Sequence, residues 1–226
     1  MNTVGELLTL PEPTDSVLPR TDPAVVARIY GLLEIFAGLA ERNRIDYWLS
    51  DGTLLGAVRH GGLIPWDDDA DLQFFEEDER RIRALREPLL RAGCGFTSWW
   101  GGYKIFLMDG QPVRWHRHRF PFVDLFPVRR ARNGRVAYAR WRARFEWPRF
   151  YFLETELLPL THRPFGPLHL PCPREPSAYL ARGFGHDWET VAHRTFDHAH
   201  ERKIEPLKVR LTNRSPAEYG ESRDAR

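Results

Sequence analysis

Apolar residues follow two different periods along the chain. After Asp22-Pro23, which suit the N-cap and first turn of a helix, apolar side chains recur three or four positions apart. Further along, residues 45–50 form a short apolar run typical of a buried strand, and residues 54–58 suit another helix. The core-facing positions of the first helix are Val26, Ile29, Leu33, Phe36, Leu39 and Ala40. This pattern predicts a mixed α+β fold.

Four aspartates lie within five positions, directly after the apolar residues 64–66. Side chains two positions apart in a strand share a face, so Asp69 and Asp71 are expected to point the same way. Close carboxylates in partly dry surroundings need a cation, or their pKa values rise until some are neutral. An all-oxygen site suits Mg²⁺ or Mn²⁺, which fills its remaining positions with phosphate oxygens. The cluster therefore predicts a metal site that binds a phosphate; its members are Asp67, Asp68, Asp69 and Asp71.

Gly52 and Thr53 stand between the first predicted strand and the helix after it. Glycine lets the backbone approach a phosphate, and the amides at a helix start point toward it. We therefore expect Gly52 and Thr53 to contact substrate phosphate. Strand, Gly-Thr turn, helix and a strand with Asp-x-Asp are together the arrangement of the nucleotidyltransferase fold. A solvated acidic loop is the alternative, which the tryptophan and phenylalanine on either side of the aspartates disfavour.

Three segments resemble those of the LicD family, which includes bacterial phosphocholine transferases and fukutin-related ribitol-phosphate transferases. The first is GTLLGAVRHGGLIPWDDDAD at residues 52–71, and the second is FPFVDLFP at residues 120–127, similar to the family's I-D-I-F-P element. The third runs through residues 165–188 and departs from the family at Phe184, where tyrosine is more frequent before the glycine. The resemblance covers about residues 25–200.

The resemblance implies a nucleotidyltransferase-like fold, in which helices flank a mixed β-sheet and the C-terminal part is helical or irregular. It also implies a transferase that moves a phospho-alcohol from a CDP-linked donor, such as CDP-choline or a CDP-polyol. The acceptor would be a sugar hydroxyl of a cell-surface glycan or glycolipid precursor. Asp69, Asp71 and Asp124 would hold one or two Mg²⁺ ions on the diphosphate. Asp124 or Asp67 would accept the proton of the attacking hydroxyl.

Two further charged residues are expected at the same site. Asp124 has apolar neighbours on both sides in a predicted strand at residues 122–126, where a lone carboxylate needs a cation. Lys104 is one of three lysines in a chain with 30 arginines, which favours a specific need for a compact ammonium beside a phosphate. A random surface lysine is the alternative. Asp109-Gly110 predicts a hairpin turn that joins the Lys104 strand to a strand at residues 113–118.

One arginine and several histidines carry weaker signals. Arg59-His60 lies between the Gly-Thr turn and the aspartates, so we favour substrate binding there, with a phosphate contact by Arg59, over a structural ion pair. His116-x-His118 offers two zinc ligands on one strand face, but the sequence shows no partner cluster, and we disfavour zinc. The remaining group is interpreted as the polar face of a helix and consists of His193, His198 and His200.

Residues 129–149 form a basic segment. From Arg129 to Arg149 it holds eight arginines and one glutamate, interleaved with Trp141, Phe145 and Trp147. Such a segment suits contact with an anionic membrane surface or an anionic acceptor. A helix that packs its apolar face on the core and keeps its arginines in water is the alternative. The net charge of the whole chain is only +2, so we expect no nucleic-acid partner.

The length of 226 residues predicts one domain. We expect a flexible N-terminal arm at residues 1–20, a single domain at 21–205 and a polar C-terminal tail at 206–226. The start shows no signal peptide, and no window approaches the roughly 20 apolar residues that cross a bilayer. Cys94 and Cys172 lie far apart without metal-ligand spacing. These features favour a cytoplasmic protein, placed peripherally at the inner membrane face if residues 129–149 bind lipid.

Two other functions stay open. A nucleotidyltransferase that leaves the nucleotide on a protein or a small molecule would use the same Gly-Thr and Asp-x-Asp residues. The residues between Arg59 and Asp67 favour the LicD type instead. The non-enzyme alternative is a binding module that acts through the basic segment at residues 129–149, and the intact metal carboxylates argue against it.

Overall fold

A seven-stranded mixed sheet forms the centre of the protein. The computed structural model describes residues 13–220. In chain order the strands of this sheet are β1 (Tyr47–Leu49), β2 (Ala70–Phe75), β3 (Cys94–Ser98), β4 (Tyr103–Pro112), β5 (Arg119–Arg130), β6 (Arg135–Tyr138) and β7 (Tyr151–Leu153). The main path has the order β1-β2-β5-β4-β3, and β6 and β7 extend from β5. β2 and β5 run parallel, whereas the other neighbouring strands of this sheet run antiparallel.

Helices and two separate hairpins surround this sheet. The helices are α1 (Pro23–Arg42), α2 (Asp51–Arg59), α3 (Glu79–Ala84), α4 (Arg86–Arg91), α5 (Trp141–Glu146), α6 (Glu154–Leu157) and α7 (Ser177–Phe184). Short 3-10 turns lie at Asp15–Val17 and Glu76–Asp78. One hairpin joins β8 (Thr161–Phe165) to β9 (Leu168–Cys172), and the other joins β10 (Val191–Asp197) to β11 (Arg202–Arg210). The predicted α+β fold, a mixed sheet with flanking helices, is confirmed.

The first helix begins where the sequence predicts. The Asp22 side chain accepts a hydrogen bond from the Ala24 amide at 2.8 Å, and Pro23 occupies the first helical position. By length and composition α1 is the one helix of the described residues that could cross a bilayer, although the sequence pattern led us to expect none. In this fold eight of its residues are buried instead, and α1 packs against β4, β5, β9 and α4.

The predicted hairpin at Asp109-Gly110 is wrong. β4 continues through both residues to Pro112, and its register with β5 shifts between Phe106 and Gln111. A Cβ atom on Gly110 would lie 2.9 Å from two main-chain oxygens, so the glycine serves a close approach inside a bulge rather than a turn. The chain reverses later, at residues 113–118, where a strand was expected.

The C-terminal part is a hairpin where a helix was expected. His193 lies on β10, while His198 and His200 lie in the turn before β11, so the interpretation of a polar helix face is wrong. Ala192, Arg194 and Phe196 occupy every second position of β10, which is the spacing typical of a strand. The interpretation based on the histidines missed this spacing.

The ends of the described chain are tied to the domain. β11 continues across residue 205, where the domain was expected to end, and the Ala217 amide donates to Leu63 O at 2.8 Å. Of the expected N-terminal arm, only residues 13–20 belong to the described part. There Leu18 is buried, and the Asp15 carboxylate accepts hydrogen bonds from the Thr212 amide and hydroxyl.

Candidate active site

Three charged residues form a row across the middle of the sheet. Asp71 on β2 pairs in register with Asp124 on β5, and Asp124 pairs with Lys104 on β4. Residues opposite one another on neighbouring strands share a face of the sheet, so these three side chains meet. Asp69, just before β2, joins them: one carboxylate oxygen each from Asp69, Asp71 and Asp124 lies within 4.8 Å of the others.

Lys104 is a buried cation at the end of this row. Its Nζ donates to Asp124 Oδ2 at 2.9 Å and lies 3.4 Å from the centre of the Phe122 ring. It also lies 4.6 Å from the centre of the Trp99 ring and 3.5 Å from Glu201 Oε1. Because Lys104 is only 3% exposed, it is not a random surface lysine.

Burial of the carboxylates changes their proton affinity. It raises the pKa of Asp69 and Asp71 well above the ordinary range, and the neighbouring carboxylates add to this. Burial also raises the pKa of Asp67, to about 6. For Asp124, burial raises the pKa against the opposing charge of Lys104. Added cationic charge would therefore favour the ionised carboxylates.

Gly52 lies close against the carboxylates. A Cβ atom at this position would lie 3.0 Å from Asp67 Oδ2 and 3.6 Å from Asp71 Oδ2. The Thr53 hydroxyl has a different role, because it accepts a hydrogen bond from the Asp71 amide at 2.7 Å. Gly52 thus lines the cleft, whereas Thr53 fixes the backbone of a carboxylate.

Arg59 and His60 are engaged by protein groups. Arg59 Nη1 donates to Trp188 O at 2.7 Å and to Val191 O at 2.9 Å, and Arg59 Nε donates to His60 Nε2 at 3.0 Å. Burial lowers the pKa of Arg59 to about 10 and that of His60 to about 4. His60 Nδ1 lies 3.2 Å from Ser215 O, so both ring nitrogens have partners. Arg59 lies at the cleft wall and holds the chain that enters β10.

His198 is a site residue that the sequence did not reveal. Its Nδ1 lies 2.6 Å from Asp68 Oδ1, and its Nε2 lies 3.3 Å from Asp69 Oδ2. Burial alone would lower its pKa, but the carboxylates of Asp69 and Asp68 raise the pKa to about 10. The imidazolium therefore balances part of the acidic cluster. The sequence contained only an indirect indication of this contact. Four close aspartates require nearby cations, but the pattern does not show which residue supplies one.

Asp51 is the second unpredicted residue. It is the first residue of α2 and adopts a left-handed φ of 46°. Its Oδ1 accepts hydrogen bonds from Tyr138 Oη at 2.7 Å and Tyr179 Oη at 3.0 Å. Burial raises the pKa of Asp51 against these hydrogen bonds. An aspartate at the start of an apolar helix is also typical of an ordinary helix cap, so the sequence pattern did not indicate a role for Asp51 in the site.

These groups line one cleft of about 860 Å³. Its walls combine the acidic cluster with the aromatic rings of Trp99, Trp100 and Trp147, and residues of the β10–β11 hairpin cover one side. A cleft of this volume, with a few polar groups among aromatic walls, is typical of small-molecule sites. The cleft therefore has room for a nucleotide-sized ligand against the carboxylates.

The basic segment divides into two parts. Trp147 stacks on Trp100 at the cleft with ring centres 5.2 Å apart. On α5, by contrast, Trp141 is 73% exposed and Phe145 is 80% exposed, and Ala143 is the buried residue of that helix. The alternative of an apolar helix face packed on the core is therefore wrong for α5.

Relatives with named transferase activities resemble this chain. Ribitol 5-phosphate transferase FKRP of Mus musculus is 31% identical over 173 residues, covering 73% of this chain and 33% of that protein. Lipopolysaccharide cholinephosphotransferase LicD of Haemophilus influenzae is 48% identical over 51 residues, covering 23% of this chain and 19% of that protein. The chain thus spans a third or less of either relative.

A solved structure aligns with part of this chain. The lincosamide antibiotic adenylyltransferase LnuA, in a lincomycin-bound structure, aligns with a TM-score of 0.41 and 16% identity, covering 66% of this chain and 82% of that one.

The family model described as LicD/FKTN/FKRP, nucleotidyltransferase domain, matches residues 44–175, which is more than half of the sequence. This span includes the acidic cluster, Lys104 and Asp124. The chain therefore belongs to the LicD family of nucleotidyltransferase-fold proteins.

Proposed function

We propose that this protein transfers a phospho-alcohol from a CDP-linked donor to a sugar hydroxyl. The observation that carries the proposal is the row of Asp71, Asp124 and Lys104, which lies with Gly52 in a cleft with room for a nucleotide. Membership of a family whose named relatives transfer ribitol phosphate or phosphocholine supports this chemistry. Which alcohol this chain transfers is left to experiment.

The carboxylates fit a divalent cation. Asp69, Asp71 and Asp124 offer only oxygen ligands, and Asp124 Oδ1 is buried without a hydrogen-bond partner among the described residues. Hard cations such as Mg²⁺ or Mn²⁺ prefer this ligand set. A bound ion of this kind would neutralise charge on the donor diphosphate and on the leaving CMP.

Residues of the chain would bind and orient the donor. An ammonium has three donor hydrogens, and Lys104 uses one for Asp124 and lies near Glu201, so a remaining hydrogen would donate to a phosphate oxygen. The absence of a side chain at Gly52 would let phosphate approach the first turn of α2, whose amides favour anions. Arg59 would act by fixing the chain at residues 188–191 rather than by direct phosphate contact.

Asp67 is the better placed of the two candidate proton acceptors. Asp124 Oδ2 is bound to Lys104, whereas Asp67 lines the cleft and its Oδ2 lies close to Gly52. A general base must reach the proton that it removes, either directly or through one water. We therefore assign deprotonation of the acceptor hydroxyl to Asp67.

The acceptor would be a sugar of a glycan or glycolipid precursor, presented near a membrane. Exposed Trp141 and Phe145 among arginines form a surface of the kind that binds anionic lipid headgroups. This surface supports a cytoplasmic protein placed peripherally at the inner membrane face. It is not proposed as a nucleic-acid site.

The decisive experiment separates phospho-alcohol transfer from nucleotidyl transfer. Purified protein is incubated with Mg²⁺, sugar acceptors and a panel of CDP-alcohols labelled in either the base or the alcohol, and products are identified by mass spectrometry. Alcohol label on the acceptor with release of CMP is the expected result. Base label on the acceptor would instead establish the nucleotidyltransferase alternative. No turnover of any donor, together with salt-dependent binding of a polyanion, would establish the binding module.

A further inference from the structure

We propose that His116, His118 and Glu201 form a second metal site, which binds Zn²⁺ at the wall of the cleft. One ligand atom from each residue lies within 4.8 Å of the other two. Two imidazoles and one carboxylate are a ligand set that zinc sites use, with a fourth position left for water or another ligand. The proposal is independent of the donor and acceptor suggested above.

Two buried atoms of this group face one another without a hydrogen bond. His118 Nε2 lies 2.8 Å from Glu201 Oε1, yet both atoms lack a hydrogen-bond partner within the described residues. His118 is only 4% exposed, so water does not freely supply one. Ligand atoms on a tetrahedral zinc with bonds of 2.0–2.1 Å lie about 3.3 Å apart, so the two side chains would separate by about 0.5 Å on binding the ion. A shared ion would satisfy both atoms at once.

The ligands come from two loops that are distant in sequence. His116 and His118 lie in the reversal at residues 113–118, and Glu201 ends the turn between β10 and β11. Trp115 and Glu201 adopt left-handed φ values of 67° and 49°, which cost free energy for residues with side chains. A bound ion would offset this cost by joining the two loops.

The donor chemistry distinguishes this site from the carboxylate site. Imidazole nitrogens favour zinc and similar transition metals, whereas the oxygens of Asp69, Asp71 and Asp124 favour Mg²⁺ or Mn²⁺. His116 is exposed, so the ion would stay accessible from solvent. Lys104 contacts Glu201 Oε1 at 3.5 Å but Asp124 Oδ2 at 2.9 Å, so a zinc ion on Glu201 would leave the Lys104–Asp124 pair in place.

Zinc at this site would also fix the turn that carries His198 at the cleft. The turn that carries Glu201 also carries His198, whose ring lies against Asp68 and Asp69. A zinc ion that ties this turn to residues 113–118 would hold His198 in position. Zinc would thus act as a cross-link between the hairpin and the rest of the site.

The test measures zinc on the purified chain of 226 residues. After chelation and dialysis against Zn²⁺, atomic absorption should give one zinc per chain, and Co²⁺ should give the visible bands of a tetrahedral nitrogen and oxygen site. H118A and E201Q should each weaken Co²⁺ binding at least tenfold. H116Q removes an exposed ligand, so it should do the same without a risk to folding, which circular dichroism would verify.

Two controls make the result specific. His162 and His169 form a stacked pair of exposed histidines on the β8–β9 hairpin, and H162A/H169A should keep the zinc stoichiometry and the Co²⁺ spectrum. D69N/D71N should also keep the spectrum, because it alters only the carboxylate site. Hydrogen exchange at residues 198–201 should slow when Zn²⁺ is added. Wild type without stoichiometric zinc, or H116Q and H118A with an unchanged Co²⁺ spectrum, would show that His118 and Glu201 form an ion pair only.

Discussion

The central sheet and the β10–β11 hairpin contribute to the same cleft in different ways. In the sheet, hydrogen-bonded register places Asp71, Asp124 and Lys104 in one row. The hairpin is a separate two-stranded sheet. Its His198 and Glu201 reach the row only because the hairpin packs there. The ligand positions are therefore built into a continuous framework, while part of the balancing charge depends on how a peripheral element docks.

The hairpin docks through polar contacts and through buried Ala192 and Val209, which belong to the hydrophobic core. Arg59 binds the carbonyls of Trp188 and Val191, and Trp66 Nε1 donates to His193 O at 3.2 Å. His198 then contacts Asp68. A separate two-stranded sheet can open locally at lower cost than the central sheet. Substitutions in the sheet should therefore remove activity outright, and substitutions at the hairpin should reduce it in steps.

The largest effect is expected for Asp71→Asn or Asp69→Asn. Either change removes a metal ligand and should lower kcat by about 1000-fold, as loss of a metal's contribution requires. The fold should be retained, and in EDTA the variant should melt at or above the wild-type temperature, because repulsion among the carboxylates is relieved. A variant that keeps more than about a tenth of wild-type activity in saturating Mg²⁺ would refute the metal assignment.

The second effect concerns Lys104. Lys104→Met leaves Asp124 buried without its cation, and should cost roughly 3 kcal/mol of unfolding free energy and weaken donor binding. Lys104→Arg keeps the charge but needs more room between Phe122 and Trp99, so it should reduce activity less than methionine does. Donor KM and chemical denaturation measure both effects.

A matched control for the two Lys104 substitutions is Lys208→Met. The Lys208 side chain is 59% exposed and pairs with Asp187 at 2.7 Å away from the lining of the cleft, so its loss should leave donor KM unchanged. Wild-type kinetics in Lys104→Arg would mean that this lysine is not required as a lysine.

The third effect tests the bridge between hairpin and sheet. His198→Gln removes the imidazolium beside Asp68 and Asp69, and should lower kcat/KM about tenfold, a loss typical of one charged contact. Hydrogen exchange in β10 and β11 should speed up. His200→Gln is the control, because His200 is exposed and contacts Asp197 within the same turn. Equal effects of the two substitutions would argue against a specific role for His198.

The fourth effect decides between two roles of Arg59. If Arg59 anchors the hairpin, Arg59→Lys should lower the unfolding free energy by about 1–3 kcal/mol, since buried carbonyls lose partners. Donor KM should then change less than threefold, and hydrogen exchange at residues 188–193 should rise. A more than tenfold rise in donor KM with unchanged stability would support the phosphate contact expected from the sequence.

The smallest effect on activity is expected for His60, which contributes a pH dependence of stability. Its folded pKa of about 4 lies below the ordinary value of 6.5, so the folded state favours the neutral ring. The contribution of neutral His60 to the free energy of unfolding is fully present above pH 6.5. It is lost as the pH falls through 4, and the loss amounts to up to about 3 kcal/mol. His60→Gln should reduce this loss. The check is the difference in urea midpoint between variant and wild type at pH 7.5 and at pH 5.

The sequence by itself determined the framework of the site. Strand alternation predicts that Asp69 and Asp71 share a face, and an apolar run around Asp124 predicts a buried strand with one carboxylate. The start of α1 also follows from local backbone rules, whereas Gly52, which was expected in a turn before the helix, lies in the first turn of α2. These features depend on neighbours in the chain, so a single sequence contains the information. The same local rules failed at Asp109-Gly110, because a bulge and a turn both favour such residues.

Only the tertiary structure decided which distant groups complete the site. His198 meets Asp68 across 130 positions, and Arg59 meets Val191 across 132. Asp51 finds two tyrosine hydroxyls from other elements. Side-chain period predicts which face a residue takes, but it does not specify which segment will cover that face. Burial of apolar surface is not directional, so the choice among covering segments depends on the packing of the whole chain.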